Sequence, residues 1–172
     1  MSESYELVSD FLAAGGDVLK IIFVVTFLLW VLIIERFIFY KYKWPELLKE
    51  IENSWQERAD KGSWFAHRVR EFQLSTADMA LQANIGLIKT LVALCPLLGL
   101  LGTVSGMIAV FDVMALTGTG NARLMASGIS LATIPTMAGM VTALSGLYFG
   151  NLFAGKSSAA KLVLEENLPL SI

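Results

Sequence analysis

Two long runs of sequence carry no charged side chain at all. Thr90–Phe111 and Leu124–Phe149 contain no Asp, Glu, Lys or Arg, and each exceeds the ~20 residues that a helix rising ~1.5 Å per residue needs to cross a ~30 Å hydrocarbon core. Only a short polar stretch, Asp112–Arg123, separates them. A chain with this pattern is constrained to a membrane hairpin, because a bilayer leaves no other way to satisfy the backbone of such segments.

Small residues recur in both runs at intervals of four. Gly99 with Thr103, Gly102 with Gly106, Gly139 with Ala143 and Gly146 with Gly150 form four such pairs. Lipid gives helices no hydrophobic reason to associate, so close backbone approach must supply the packing, and smooth faces of this kind permit it. The runs also hold uncharged polar groups at membrane depth, namely Thr103, Ser105, Ser127, Ser130, Thr133, Thr136 and Thr142. A hydroxyl can bond its own helix carbonyl, or hold a proton-carrying group or water chain without the cost of a charge.

A third apolar run is shorter. Its charge-free part is Ile21–Ile34, flanked by Lys20 and by the aromatics Phe37, Phe39, Tyr40 and Tyr42 before Lys41 and Lys43. Snorkelling of Lys20 and an aromatic belt extend the span to residues 18–40. Glu35 and Arg36 then fall near the membrane interface, where they read as an ion pair or a headgroup contact. With 55% apolar and 16% charged residues, the fold class is an all-α membrane protein of three transmembrane helices, 18–40, 90–111 and 124–153.

Charge sets the orientation. Of 13 Lys and Arg, those from Arg36 to Lys89 form the large majority, which places residues 41–89 and the tail 154–172 in the cytoplasm, and the N-terminus and loop 112–123 outside. Residues 1–17 carry Glu3, Glu6, Asp10 and Asp17 without a Lys or Arg, consistent with an acidic amphipathic segment on the outer surface. The region 41–89 reads as helical, with Pro45 in a first turn and Leu47, Leu48, Ile51 and Trp55 on one face, Gly62 as a stop, and Ser63 capping a second helix. On that helix Trp64, Phe65, Val69 and Phe72 form an apolar stripe suited to packing. The pattern Ala77, Leu81, Asn84, Ile85, Ile88 predicts a helix running unbroken into the membrane at Thr90. Such a region is too small to close a core of its own, which, with the small-residue pairs, predicts a homo-oligomer.

Enzymatic chemistry finds little purchase. Cys95 is the single cysteine and His67 the single histidine, so no disulfide, CxxC site or hydrolytic triad is available, no metal or organic cofactor is expected, and the chain is read as no enzyme. A formal net charge of -2 without a basic cluster argues against nucleic acid. Gly150-Asn-Leu-Phe-Ala-Gly-Lys-Ser157 fits the spacing of a phosphate-binding loop, but such a loop joins a strand to a helix and here continues an apolar helical run, so no nucleotide site is assigned.

Pro96-Leu-Leu-Gly-Leu-Leu-Gly-Thr-Val-Ser-Gly106 and Gly128-Ile-Ser-Leu-Ala-Thr-Ile-Pro-Thr-Met-Ala-Gly139 resemble the two signature helices of the MotA/TolQ/ExbB proton-channel family, nearest its shorter ExbB members. The likeness is specific from about Ala77 to Phe153. It implies an inner-membrane subunit with a periplasmic N-terminus and a cytoplasmic C-terminus, whose long helices extend into the cytoplasm and assemble as a ring, a pentamer, around an ExbD-like single-span partner. It further implies protons as the coupling ion and a TonB-like protein that energises outer-membrane import. Thr103 and Thr136 fall on the family's pore threonines. The chain departs from the pattern at Leu131, where many members carry glutamate, and at Pro135, where Ala is usual; the partner's aspartate would supply the missing acid. A TolQ-like role in envelope maintenance and a non-conducting membrane scaffold are the alternatives.

Overall fold

A computed structural model describes residues 15–117 and 122–169, and every regular element among them is helical. In order these are α1 (Gly16–Ile38), a π-helical turn (Phe39–Lys43), α2 (Trp44–Gln56), α3 (Trp64–Gln82), α4 (Ile85–Thr117) and α5 (Ala122–Asn167). Among the described residues three helical stretches are long and apolar enough to cross a membrane. The amphipathic segment expected before residue 15 lies outside the described residues, apart from the start of α1. Helix also reaches further than the sequence suggests around the loop 112–123, since α4 runs on to Thr117 and α5 begins at Ala122. Pro96 and Pro135 both lie inside helices that continue past them.

Among the described residues the helices sort into two compact units, the first made from 15–30, 89–117 and 122–147, the second from 31–88 and 148–169. In the first, α4 and α5 run antiparallel and meet along their glycines. A Cβ on Gly106 would stand 2.7 Å from Ala132 Cα, one on Gly139 2.5 Å from the Cys95 carbonyl oxygen, and one on Gly99 3.0 Å from Thr136 Cα. Gly102 faces the Pro135 ring and Gly146 faces Val92 and Leu29. Backbone therefore touches backbone, the arrangement that dispersion alone can stabilise in lipid. Leu19, Ile22 and Leu29 of α1 and Val92 and Cys95 of α4 are buried in this unit.

The second unit has the core Trp44, Trp55, Ala66, Ala77, Leu81, Leu164 and Leu168, with Leu47, Leu48 and Ile51 packed against it. Residues 41–89 do not close this core alone, because the end of α5 supplies Leu164 and Leu168. Arg70 secures that end: its Nε donates to the Leu168 carbonyl at 2.7 Å and its Nη2 to that of Glu165 at 3.0 Å, satisfying carbonyls that a helix C-terminus leaves open. Lys161 pairs with Asp78 at 3.1 Å, and Trp55 Nε1 donates to the Pro169 carbonyl. Ser63 caps α3 by accepting from the Ala66 N–H at 3.2 Å.

Two local features depart from simple helical reading. Pro45 has no N–H and its ring would crowd the preceding turn; the π turn accommodates it, with the Trp44 N–H reaching back to the Phe39 carbonyl. The unbroken helix expected from Thr76 into the membrane is instead interrupted at Ala83–Asn84. Asn84 adopts φ 61, a left-handed conformation that Asn tolerates better than most residues. On α3, Trp64, Phe65 and Phe72 point away from the core of their own chain.

Candidate functional site

The hydroxyls at membrane depth fall into two groups. Some bond within their own helix: Thr103 Oγ1 donates to the Leu100 carbonyl at 2.7 Å, Ser105 to Gly102, and Thr133 to Ile129 and Ser130. Others tie helices together. Thr136 Oγ1 of α5 donates to the Gly99 carbonyl of α4 at 2.9 Å, reachable only because Gly99 lets the backbones approach. Thr26 Oγ1 donates to the Ile22 carbonyl at 2.7 Å and stands 3.1 Å from Thr142 Oγ1. A hydroxyl has one proton, so Thr142, 8% exposed, is the donor of that pair.

Thr103 and Thr136 are both half-buried. With their protons placed on backbone carbonyls, both present oxygen lone pairs, the complement of a neutral acid's O–H. If a hydroxyl turns away from its carbonyl it can donate to an ionised acid instead. Each hydroxyl by itself has the chemistry to meet either protonation state of a carboxyl group without carrying charge. The packing glycines Gly99, Gly102, Gly106, Gly139 and Gly146 lie between α4 and α5 of one chain, and Gly150 is buried in the second unit. Residues 150–157, the stretch with phosphate-loop spacing, run through the middle of α5, where their N–H groups belong to the helix ladder.

Glu35 and Arg36 are brought together with a partner the sequence did not suggest. Arg36 Nε and Nη2 meet the Glu35 carboxylate at 2.8 and 3.0 Å, Asn84 Nδ2 donates to it at 3.1 Å, and Arg36 Nη1 donates to the Ala80 carbonyl at 3.1 Å. Tyr40 Oη donates to the Leu81 carbonyl at 3.0 Å. Ala80 and Leu81 are the carbonyls that a continuous helix would pair with the N–H groups of residues 84 and 85. The interruption at Asn84 frees them, and Arg36, only 4% exposed, and Tyr40 cap them. The available signal was an Asn between two helical patterns opposite an Arg and a Tyr four residues apart. Among the described residues no group of three His, Cys, Asp or Glu could hold a metal.

The sequence pattern of the MotA/TolQ/ExbB proton channel family matches residues 43–166, most of the chain. The chain belongs to this family. The family so matched is one of proton channels. The chain is 39% identical over 92 residues to the putative biopolymer transport protein ExbB-like 3 of Synechocystis, covering 48% of this chain and 43% of that one. It is 48% identical over 64 residues to ExbB-like 1 of Synechocystis, across 36% of this chain and 25% of the relative. Against the biopolymer transport protein ExbB of Salmonella typhimurium it is 35% identical over 79 residues, 46% of this chain and 32% of the relative. The chain thus aligns with less than half the length of each of these relatives.

Proposed function

We propose that this protein is the channel subunit of an inner-membrane motor that uses the proton motive force to energise outer-membrane import, working with an ExbD-like single-span partner and a TonB-like protein. The observation that carries the reading is the family match across residues 43–166, which spans both charge-free helices. Five copies form a ring around the partner's membrane helices. A proton descending the potential gains ~2.3 kcal/mol per 100 mV, and the partner's aspartate takes it up and releases it while facing the Thr103 and Thr136 oxygens. The motion that follows passes to the TonB-like protein.

Co-expression with the single-span partner, reconstitution into vesicles and measurement of proton uptake under an imposed potential test this reading. Replacing both Thr103 and Thr136 by Val keeps volume and removes two hydroxyls, and losing a hydrogen bond of ~1.4 kcal/mol lowers a rate about tenfold. The double Val variant is expected to assemble and conduct at least that much more slowly, whereas Ser at both positions retains conduction. Wild-type uptake by an assembled double Val variant would overturn the assignment of these two residues. Absence of any uptake by the wild-type complex would overturn the channel reading itself.

A further inference from the structure

The second unit turns three helices outward, and their outer faces differ in kind. On α2 the exposed positions are Pro45, Glu46, Lys49, Glu50 and Asn53, a polar face suited to water. On α3 the outward stripe is Trp64, Arg68, Phe72 and Met79, with Trp64 73%, Phe72 71% and Met79 65% exposed. On α5 it is Leu152, Gly155, Ala159, Leu162 and Val163, interleaved with the exposed Lys156 and Glu166, with Leu162 66% exposed and nothing within 4 Å of a Cβ built on Gly155. A helical bundle bathed in water would show three polar faces. Lipid does not account for the α3 face, because that helix also carries His67, Arg68, Arg70, Glu71 and Asp78.

We propose that the Phe72–Met79 face of α3 in one copy packs against the Ala159–Val163 face of α5 in the next copy. This rests on the ring reading above and names the surfaces that close the ring outside the membrane. A closed ring of identical chains needs two different, complementary patches on each subunit, joined head to tail. One mainly polar face and two that carry exposed apolar side chains is the pattern such a subunit requires. The patches complement each other in shape, since large side chains on α3 face the small Gly155 and Ala159 on α5. They also match in height. Asp78 pairs with Lys161 and Arg70 with the Leu168 carbonyl, so Met79 is level with Ala159 and Phe72 with Glu166. Copies that share one membrane sit at one depth, which preserves that level between neighbours. Glu166 of one copy then lies within about a helical turn, ~5.4 Å, of the level of Arg68 in the other.

The test pairs cysteines across the proposed contact in the full chain, on a Cys95→Ala background. Met79→Cys with Ala159→Cys, and Ser75→Cys with Leu162→Cys, are expected to give on oxidation a ladder in multiples of 18.8 kDa, while each single cysteine gives none, as disulfide formation needs Cα atoms within about 7 Å. Native mass of the cysteine-free chain reports the ring independently. A ring without a ladder overturns the interface, and so do dimers formed by Met79→Cys alone, which would join like faces. Rungs that are not multiples of the chain mass put a different protein on the face and likewise overturn it. Absence of any ring overturns the assembly reading beneath it. Phe72→Glu, at a side chain 71% exposed in its own chain, is expected to keep the helical content and shift the native mass toward the monomer; retention of the full ring would count against the proposal.

Discussion

At the scale of single residues, Asn84 and Arg36 decide how α3 gives way to α4. Replacing Asn84 by Ala forces a Cβ residue without a compensating side-chain bond into φ 61, at a cost of ~1–2 kcal/mol, and removes the bond to Glu35. Arg36→Leu keeps bulk yet leaves the Ala80 carbonyl without its donor; an unsatisfied buried group costs ~1–3 kcal/mol. Both variants are expected to unfold at lower temperature in detergent, Arg36→Leu by the larger shift, and unchanged unfolding would remove the capping role. Asp78 offers a pH test of the same unit. The Gln82 amide, with Lys161 in support, holds its carboxyl below the usual carboxylate range despite partial burial. A depressed folded value means the stabilisation is present above the unfolded value of ~3.9 and is lost as pH falls below it toward the folded value. Asp78→Asn should flatten the stability profile below about pH 4, and a profile as steep as wild type would exclude Asp78 as its source.

At the scale of elements, the glycines of α4 and α5 set the separation of the two helices. Gly106→Leu and Gly139→Leu drive side-chain atoms into facing backbone and should prevent a folded hairpin, read as protease sensitivity and loss of monodisperse protein. Gly86, with nothing within 4 Å of an added Cβ, serves as the control; Gly86→Ala should be neutral or stabilising by up to ~1 kcal/mol. Much at this scale was legible in the sequence. Absence of charge and small-residue spacing located α4 and α5, and Ser63 marked the start of α3. The interruption at Asn84 was hidden because the apolar periodicity on its two sides nearly joins, and one left-handed residue leaves no trace in that period. The outward turn of Trp64 and Phe72 was hidden for a different reason. An apolar stripe shows that something covers it, and not whether the cover comes from the same chain. The roles of Arg36, Tyr40 and Arg70 depended on which carbonyls the fold left open, which is a tertiary fact.

At the scale of the whole molecule, charge asymmetry argues for one orientation in the membrane. Most of the Lys and Arg lie between Arg36 and Lys89, and moving that many cations across a bilayer is opposed both by desolvation and by the potential. We therefore propose that residues 41–89 and the end of α5 lie in the cytoplasm while residues 112–123 lie outside. Single cysteines at Lys61 and Arg123, neither of which lies within a charge-free run, test this on a Cys95→Ala background with a membrane-impermeant maleimide. In intact spheroplasts the Arg123→Cys variant should label and the Lys61→Cys variant should not; after the inner face is opened, both should. Labelling of Lys61→Cys from outside would invert the chain. An inverted chain would carry the α3 and α5 faces to the outer side of the membrane and leave the hydroxyls where they are. The proton path and the orientation can therefore be tested, and can fail, separately.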